Sequence, residues 1–403
     1  MGMAPMAVFM KRDGYSVSGF DDVPNPKVRE WLESENIEMG KPHAGEKFDD
    51  FVISTALCRR LKELEKFLPP PVRIRRRGEV WAQICAKRRL CAVVGSHGKS
   101  TVSSLMAHAV LKRGISCGYL VGAIPNLFPM SGYCSEGNFL ISEIDESDGT
   151  IEMFSPEVLV ALNADLDHHN TYADEAELRK MFERLFSRTS RKVLYPASDP
   201  MLADIASGFG EKCVPIKTSG DFNISNREMA AAGLSQLFGS RFGLEDFEGY
   251  GGLERRQETL ADSGKIFAVA DYAHHPTEVE SFIKYFESRH ESPRVIFFQP
   301  HRYSRTKAFA ARFAKILSNA AAMGDEIYIL PVYAASEAAD SSGTSKAVVE
   351  AAPKGAIKDA NVEDIPNIIE NSLNKNKGKK LNAAFIGAGD FYFSVKSFIK
   401  NYE

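Results

Sequence analysis

Leu90-Cys91-Ala92-Val93-Val94, followed without a break by Gly95-Ser96-His97-Gly98-Lys99-Ser100-Thr101, is the stretch on which the fold turns. The short apolar run predicts a buried strand. The glycines predict a tight turn, and the residues from Lys99 to about Arg113 predict a helix. Strand, glycine turn and helix N-terminus together make an anion cradle. Backbone N–H groups converge there, and the helix dipole favours negative charge. In such a cradle the backbone of Gly95–Thr101 would wrap the phosphates of ATP. Lys99 would neutralise the β- and γ-phosphates, and the Ser100 hydroxyl would ligate Mg²⁺. The general phosphate-loop spacing asks for a further glycine at position 93, where Val93 stands. On this motif alone, a glycine turn without a nucleotide stays open.

Outward from this point the chain alternates strand-like and helix-like segments, which argues for parallel α/β sheets. The sequence separates into three zones, 1–85, 86–246 and 247–403. In the first, Tyr15–Gly19 and Phe51–Thr55 read as strands, with Val28, Trp31 and Leu32 on one helix face between them; Arg75–Gly78 reads as an exposed basic loop. In the second, strands are expected at Phe139–Ile144, Val158–Leu162 and Lys192–Tyr195. A helix over Asp174–Phe186 would bury Leu178, Met181, Phe182, Leu185 and Phe186. In the third, strands are expected at Ile266–Ala270, Val295–Phe298, Glu326–Leu330 and Ala383–Ile386. Helices follow the first two of these, one burying Val279, Phe282, Ile283 and Phe286, the other Phe309, Phe313, Ile316 and Leu317. Ala334–Ser345 reads as a loop.

Four further blocks stand just past predicted strands, the edge where parallel sheets bind ligands. The first runs Ile141-Ser-Glu-Ile-Asp-Glu-Ser-Asp-Gly149, with Glu143, Glu146 and Ser147 inside it. Its clustered carboxylates repel unless cations offset them, so it is either a solvated acidic loop or a Mg²⁺ site. The second, Leu162-Asn-Ala-Asp-Leu-Asp-His-His-Asn-Thr-Tyr172, offers His168 or His169 as metal ligands or as surface residues. The third, Asp271-Tyr-Ala-His-His-Pro-Thr-Glu278, suits a capped helix start, with Pro276 in the first turn and Glu278 at the positive end. Tyr272 and His274 would make a polar pocket wall. The fourth, Gln299-Pro-His-Arg-Tyr-Ser-Arg-Thr306, places Arg302 and Arg305 on one helical face. Arginine forks there suit a carboxylate or a phosphate.

Bulk properties exclude several classes. The 403 residues carry a net charge of −3, with 44% apolar and 26% charged residues. That balance gives no electrostatic preference for nucleic acid. No apolar run reaches the ~18–20 residues that span a bilayer, and the first residues lack a signal-peptide pattern, so no membrane insertion is expected and the cytoplasm is the expected compartment. The six cysteines form no C-x-x-C pair and no disulfide framework.

The order of these blocks resembles the Mur ligase family. Gly-Ser-His-Gly-Lys-Ser is similar to that family's phosphate loop, Gly-Thr-x-Gly-Lys-Thr/Ser, which lacks the glycine at position 93. Glu143–Gly149 resembles its Glu-Ala-Asp-Glu-Ser-Asp-Gly block. The third and fourth blocks resemble those of its alanine-adding member. The resemblance runs from Gly2 to Gly387-Ala-Gly-Asp390. It implies a three-domain α/β architecture: a Rossmann-like UDP-sugar-binding domain (1–85), a central P-loop ATPase-like domain with a parallel sheet (86–246), and a Rossmann-like amino-acid-binding ligase domain (247–403). It implies ATP and Mg²⁺ (Mn²⁺ as a substitute), with UDP-N-acetylmuramate and L-alanine as substrates, joined as an amide through an acyl phosphate.

By the same resemblance Lys99 holds the ATP phosphates, Ser100 sits on one Mg²⁺, and Glu143 and His168 ligate a second. Asn223 and Asn226 contact adenine, and Arg255 or Arg256 approaches the phosphates. Tyr272, His274, Arg302 and Arg305 line the pocket for L-alanine and the muramoyl carboxylate, with His274 a proton acceptor or an oxyanion donor. Glu146 and Ser147 join the substrate site, and Asp21 and Ser54 bind the UDP-sugar. The chain departs from the family pattern in four places. It begins inside the first glycine loop, without the opening strand. It lacks several tens of residues between Ser219 and Phe222. Phe222 replaces a histidine, and Pro331 and Ser336 replace an acidic residue and a glycine. The alternatives are a Mur-type ligase for another amino acid or peptide, and a non-catalytic homologue that binds a nucleotide or UDP-sugar. A generic P-loop ATPase or kinase leaves the third and fourth blocks unexplained.

Overall fold

The structure is a computed structural model that describes residues 2–22, 25–41, 46–54, 57, 73–134, 138–145, 149–165, 172, 174–335 and 337–402. The chain divides into two compact units, Met1–Gly251 and Gly252–Glu403. Each is built on a mostly parallel sheet.

The first unit opens with α1 (Met3–Arg12), β1 (Ser18–Gly19), α2 (Pro26–Ser34), β2 (Glu38–Met39), β3 (Asp50–Ile53), β4 (Arg73–Arg76) and α3 (Arg77–Cys85). β1 pairs with β2 and β3 with β4, both in parallel. The expected strand at Tyr15–Gly19 is therefore shorter, and the expected basic loop at Arg75–Gly78 is a strand end and a helix start. The physical reason is pairing: Asp50 on β3 takes salt bridges from Arg73 and Arg75 on β4 at 2.6 and 3.2 Å. Charges that read as a solvated turn are neutralised across the strand pair.

The main sheet of this unit uses β5 (Arg89–Val94), β6 (Gly118–Leu120), β7 (Ser131–Gly132), β8 (Phe139–Glu143), β9 (Val158–Ala161), β10 (Lys192–Pro196) and β11 (Cys213–Ile216). Their order is β11-β10-β9-β5-β8-β6-β7, parallel except for β6 against β7. Helices α4 (Lys99–Lys112), α5 (Glu175–Arg188), α6 (Pro200–Ser207) and α7 (Phe222–Phe238) connect or cover the strands. Asp174 caps α5 by accepting from the Glu177 N–H, and the five apolar residues expected on its inner face are all buried. α1 and α3 send Phe9, Val80 and Trp81 into the core that also holds Leu90 and Leu159. The Phe9 and Trp81 rings meet edge to face at 5.2 Å. Residues on both sides of position 85 thus share one core. Phe182→Ala, at a side chain 1% exposed in that core, is expected to cost about 3–5 kcal/mol, measured as a fall in the urea midpoint.

The second unit uses β12 (Glu258–Asp262), β13 (Ile266–Asp271), β14 (Arg294–Phe298), β15 (Glu326–Ile329), β16 (Lys358–Asp359) and β17 (Leu381–Ile386). The order is β12-β13-β17-β14-β15-β16, with only β12 antiparallel. Helices α8 (Pro276–Arg289), α9 (Tyr303–Ala322), α10 (Ser345–Glu350), α11 (Ile365–Lys375) and α12 (Phe391–Ile399) accompany it. Apolar layers lie on both faces of this sheet. Phe282, Phe298 and Phe313 belong to one, and Phe297, Phe385 and Tyr392 to the other. Strands buried on both sides read as continuous apolar runs, which is why their positions matched the sequence closely.

Candidate functional site

In the first unit three adjacent strands end at one level. Val93 on β5 lies beside Glu143 on β8 and Val160 on β9. Val93 is fully buried inside the strand, so the turn begins at Gly95 and position 93 has no loop role. Gly98 immediately precedes α4 with φ of +84°. A Cβ there would be strained and would stand 3.1 Å from Asn226 Oδ1. Asn226, in the first turns of α7, therefore sits against the glycine turn. The Lys99 ammonium donates to the carbonyls of Gly95, at 2.6 Å, and Ser96, at 3.5 Å. Ser96 Oγ donates to the Asp165 carbonyl, and His97 Nε2 lies 3.3 Å from Asp165 Oδ2.

Asn163, which the sequence reading did not single out, clamps the turn from β9. Its Oδ1 accepts from the His97 N–H and its Nδ2 donates to the His97 carbonyl, each at 3.0 Å. Asp221 Oδ1 accepts from the Asn223 and Ile224 N–H groups and starts α7 directly after the short Ser219–Gly220 turn. The helix start that carries Asn223 and Asn226 is thus formed without the missing segment.

Among the described residues, the buried Oε2 of Glu143 has no hydrogen-bond partner. Burial raises its pKa, while the Ser100 hydroxyl, Lys99 and the Gly122 N–H favour the charged form. A Cβ on Gly122 would fall 1.7 Å from Glu143 Oε1, so only glycine leaves room for this carboxylate. Trp81 Nε1 donates to Ser142 Oγ at 2.9 Å, and Ser142 Oγ donates to the Glu143 carbonyl at 2.9 Å. An orphaned buried carboxylate oxygen beside a lysine and a hydroxyl, one strand from an anion cradle, is a donor set that suits a hard cation next to phosphates. Arg77 Nη2 reaches Asp145 Oδ2 at 3.3 Å. Asp21 is exposed and Ser54 partly buried just past β3. Glu146, Ser147, His168, His169 and Ser336 lie outside the described residues.

In the second unit Asp271, Ile386 and Phe298 end three strands at one level. The loops beyond them gather Tyr272, His274, His301 and Arg302, and the first turn of α9 brings Arg305. Arg255 and Arg256 come from the segment before β12. The Arg255 guanidinium lies 4.7 Å from the ring centres of both Tyr272 and Tyr392, and that of Arg256 lies 5.1 Å from Tyr272. Arg255 Nη2 donates to the carbonyls of Gly387, at 3.0 Å, and Gly389, at 2.5 Å. Asp271 accepts from the Gln257 and Ala273 N–H groups at 2.9 and 2.8 Å. Burial pushes its pKa up to about 6, against the pull of Arg256 and those N–H groups.

Glu278, read from sequence only as a helix-start carboxylate, is a hub. Its Oε2 accepts from the His274 N–H at 3.0 Å and the His275 N–H at 3.3 Å, and lies 3.3 Å from His274 Nδ1. Its Oε1 lies 3.6 Å from Arg256. His274 Nδ1 is also 3.0 Å from the Tyr272 carbonyl. Two acceptors around one ring nitrogen place the proton there.

Arg302 is a backbone outlier with φ of +70°. Side chains other than glycine adopt such a conformation at a cost of about 1–3 kcal/mol. It is held by an N–H bond to the Tyr333 carbonyl at 2.8 Å, and by its own carbonyl accepting from Thr306 Oγ1 at 2.8 Å. Its Nε is buried with no partner among the described residues. Arg255 and Gln257 also have positive φ, at 61° and 49°. Strained backbone, guanidiniums stacked on tyrosines and a buried donor gather on one sheet edge, a donor set whose chemistry suits an anion.

Residues 1–89 match the Mur ligase family, catalytic domain. The UDP-N-acetylmuramate–L-alanine ligase of Kineococcus radiotolerans is 30% identical over 399 residues, spanning 88% of this chain and 84% of that protein. That of Carboxydothermus hydrogenoformans is 27% identical over 433 residues, spanning 97% and 92%. Among solved structures, the UDP-N-acetylmuramate–alanine ligase of Thermotoga maritima aligns with a TM-score of 0.77 at 21% identity, covering 100% of this chain and 96% of that one. A murein peptide ligase from Psychrobacter arcticus aligns at 0.68 and 17%, covering 99% and 96%. With a relative 30% identical over most of both chains, the chain belongs to the Mur ligase family.

Proposed function

We propose that this chain is an ATP-dependent ligase that joins L-alanine to UDP-N-acetylmuramate. The observation that carries the reading is the pairing, in one chain, of an anion cradle flanked by an orphaned carboxylate with an arginine-rich edge. The named relatives support the choice of substrates. Residues 1–85 are assigned to the UDP-sugar, with Asp21 and Ser54. Residues 86–246 are assigned to ATP, and residues 247–403 to the amino acid.

A carboxylate is a poor acyl donor. Its oxygen attacks the γ-phosphorus, ADP leaves, and the resulting acyl phosphate carries a good leaving group. The alanine amine then attacks the acyl carbon, phosphate leaves, and the amine loses its proton. The cradle N–H groups of Gly95–Thr101 and the Lys99 ammonium stabilise the phosphoryl charge. Asn223 and Asn226 face the nucleotide, and Arg255 or Arg256 adds positive charge. Ser100 would hold one Mg²⁺ and Glu143 a second, to which His168 is also assigned as a ligand, while Glu146 and Ser147 are assigned to the substrate; Mg²⁺, or Mn²⁺ in its place, would neutralise charge at the phosphates. The Nδ1 proton of His274 is engaged by Tyr272 and Glu278. With Nδ1 as the donor, Nε2 is the nitrogen that would take up a proton, which favours His274 as the acceptor of the amine proton.

The test is ADP release with UDP-N-acetylmuramate and a panel of amino acids and peptides. Release should require the sugar nucleotide and be fastest with L-alanine. A faster rate with another amino acid or a tripeptide would transfer the assignment, and no dependence on UDP-N-acetylmuramate would end it.

Arg302 and Arg305 are assigned to the alanine carboxylate, where they fix the angle of attack. Arg302→Ala is expected to raise the KM for L-alanine by about 10- to 100-fold, the worth of a charge-assisted hydrogen bond. The KM for ATP should stay within about twofold. Steady-state kinetics in both substrates decides, and equal rises would remove the assignment.

A further inference from the structure

The fourth sequence block contains a histidine to which the ligase chemistry gives no role. His301 stands between β14 and α9, next to both carboxylate-binding arginines. Its ring stacks on Tyr333 at 5.6 Å and 22°, and meets His274 edge-on at 5.5 Å and 66°. A backbone bridge joins His301 to Tyr333 as well. Arg305 Nη1 lies 3.3 Å from His301 Nδ1. A guanidinium has only donors, so Nδ1 must present a lone pair.

We propose that His301 is the positioning residue for Arg305: its uncharged ring accepts from the guanidinium and fixes where that side chain meets the amino-acid carboxylate. The inference rests on the ligase reading. The residue type matters for an electrostatic reason. A carboxylate at this position would hold Arg305 as firmly but would neutralise it and compete with the substrate anion. A neutral acceptor fixes the guanidinium and leaves its charge for the ligand. The surroundings keep the ring uncharged. Burial, together with His274, Arg305, Arg302 and Arg255, pushes the His301 pKa down to about 3, so it stays neutral through the working range of the enzyme.

A double-mutant cycle on the full chain tests this, with unfolding transitions recorded for each variant. His301→Phe keeps a stacking ring and deletes the acceptor. It should raise the KM for L-alanine about tenfold and leave the KM for ATP within about twofold. His301→Asn restores an oxygen near the Nδ1 position and should return the KM to within about threefold of wild type. In an Arg305→Ala background, His301→Phe should add nothing, because the residue acts through Arg305. Independent, multiplicative effects would overturn the proposal, as would a parallel rise in the KM for ATP. If the phenylalanine variant does not fold, His301→Asp carries the test. It should raise the alanine KM at least as far despite supplying an acceptor, and an unchanged KM would overturn the role of neutrality. Wild-type protein without alanine-dependent ADP release would sink the ligase reading itself; alanine-dependent wild type with a multiplicative cycle would sink only this inference.

Discussion

Replacing Lys99 with alanine is expected to lower ADP release by about three orders of magnitude or more while leaving the unfolding midpoint nearly unchanged. The ammonium lies over the carbonyls of Gly95 and Ser96 at the start of α4, where it adds a full charge to the partial charges of the cradle. Removing a single preorganised donor from developing charge typically costs about 10²–10³ in rate, and a full cation at a triphosphate belongs at the upper end. The fold should not notice. Lys99 is partly exposed, its aliphatic chain fills no core, and alanine is the better helix former. Lys99→Arg should rescue little, because the wider fork does not fit where a compact charge sits. The checks are ADP release at saturating substrates and a urea transition on the same preparations. Near-wild-type turnover in Lys99→Ala would remove the phosphate-loop assignment.

Much of this half of the site was legible because its signals are local. Apolar runs such as Leu90–Val94 and Val295–Phe298 announce strands buried on both faces, and the glycine turn follows one of them directly. The face of α5 was readable because Leu178, Met181, Phe182, Leu185 and Phe186 recur at helical spacing. α7 was not. Its buried residues include Ala230, Ala231 and Gly233, small side chains that let helices pack closely but draw no apolar stripe. β6 and β7 are too short to show a period. The arginine run at 73–76 concealed a strand, because its partner Asp50 lies more than twenty residues away in sequence.

The partners that hold the site were the least visible. Asn163 clamps the His97 backbone, and Glu278 gathers two N–H groups and two side chains. Neither differs in type from an ordinary polar loop residue or helix-start carboxylate. Only tertiary proximity distinguishes them. A run such as Gly387-Ala-Gly389 is the kind of signal that could have been pressed further, since carbonyls exposed by glycines are natural acceptors for an arginine, here Arg255.

Glu143→Gln should separate function from folding in opposite directions. The substitution keeps the shape of the side chain beside Ser100 and Gly122 and removes its charge. If the orphaned Oε2 is the oxygen that faces Mg²⁺, ADP release should fall by about 10²-fold, in the range for a lost electrostatic partner of the phosphoryl group. The Mg²⁺ concentration for half-maximal rate should rise. The fold should respond otherwise. Burial raises the folded-state pKa of Glu143 above its ordinary value. The stability contribution of the neutral form is therefore full at low pH and is lost as pH rises through the folded pKa. Without divalent cation, ionising the buried carboxylate carries a desolvation cost that glutamine does not, so the variant should unfold no earlier than wild type as pH rises. Gly122→Ala is the companion experiment. Its methyl group would fall 1.7 Å from Oε1 and must displace the carboxylate, so activity should drop although no charged group has changed. A Glu143→Gln variant that loses stability and activity together, with an unaltered Mg²⁺ requirement, would show that this carboxylate supports the sheet edge and does not hold the ion.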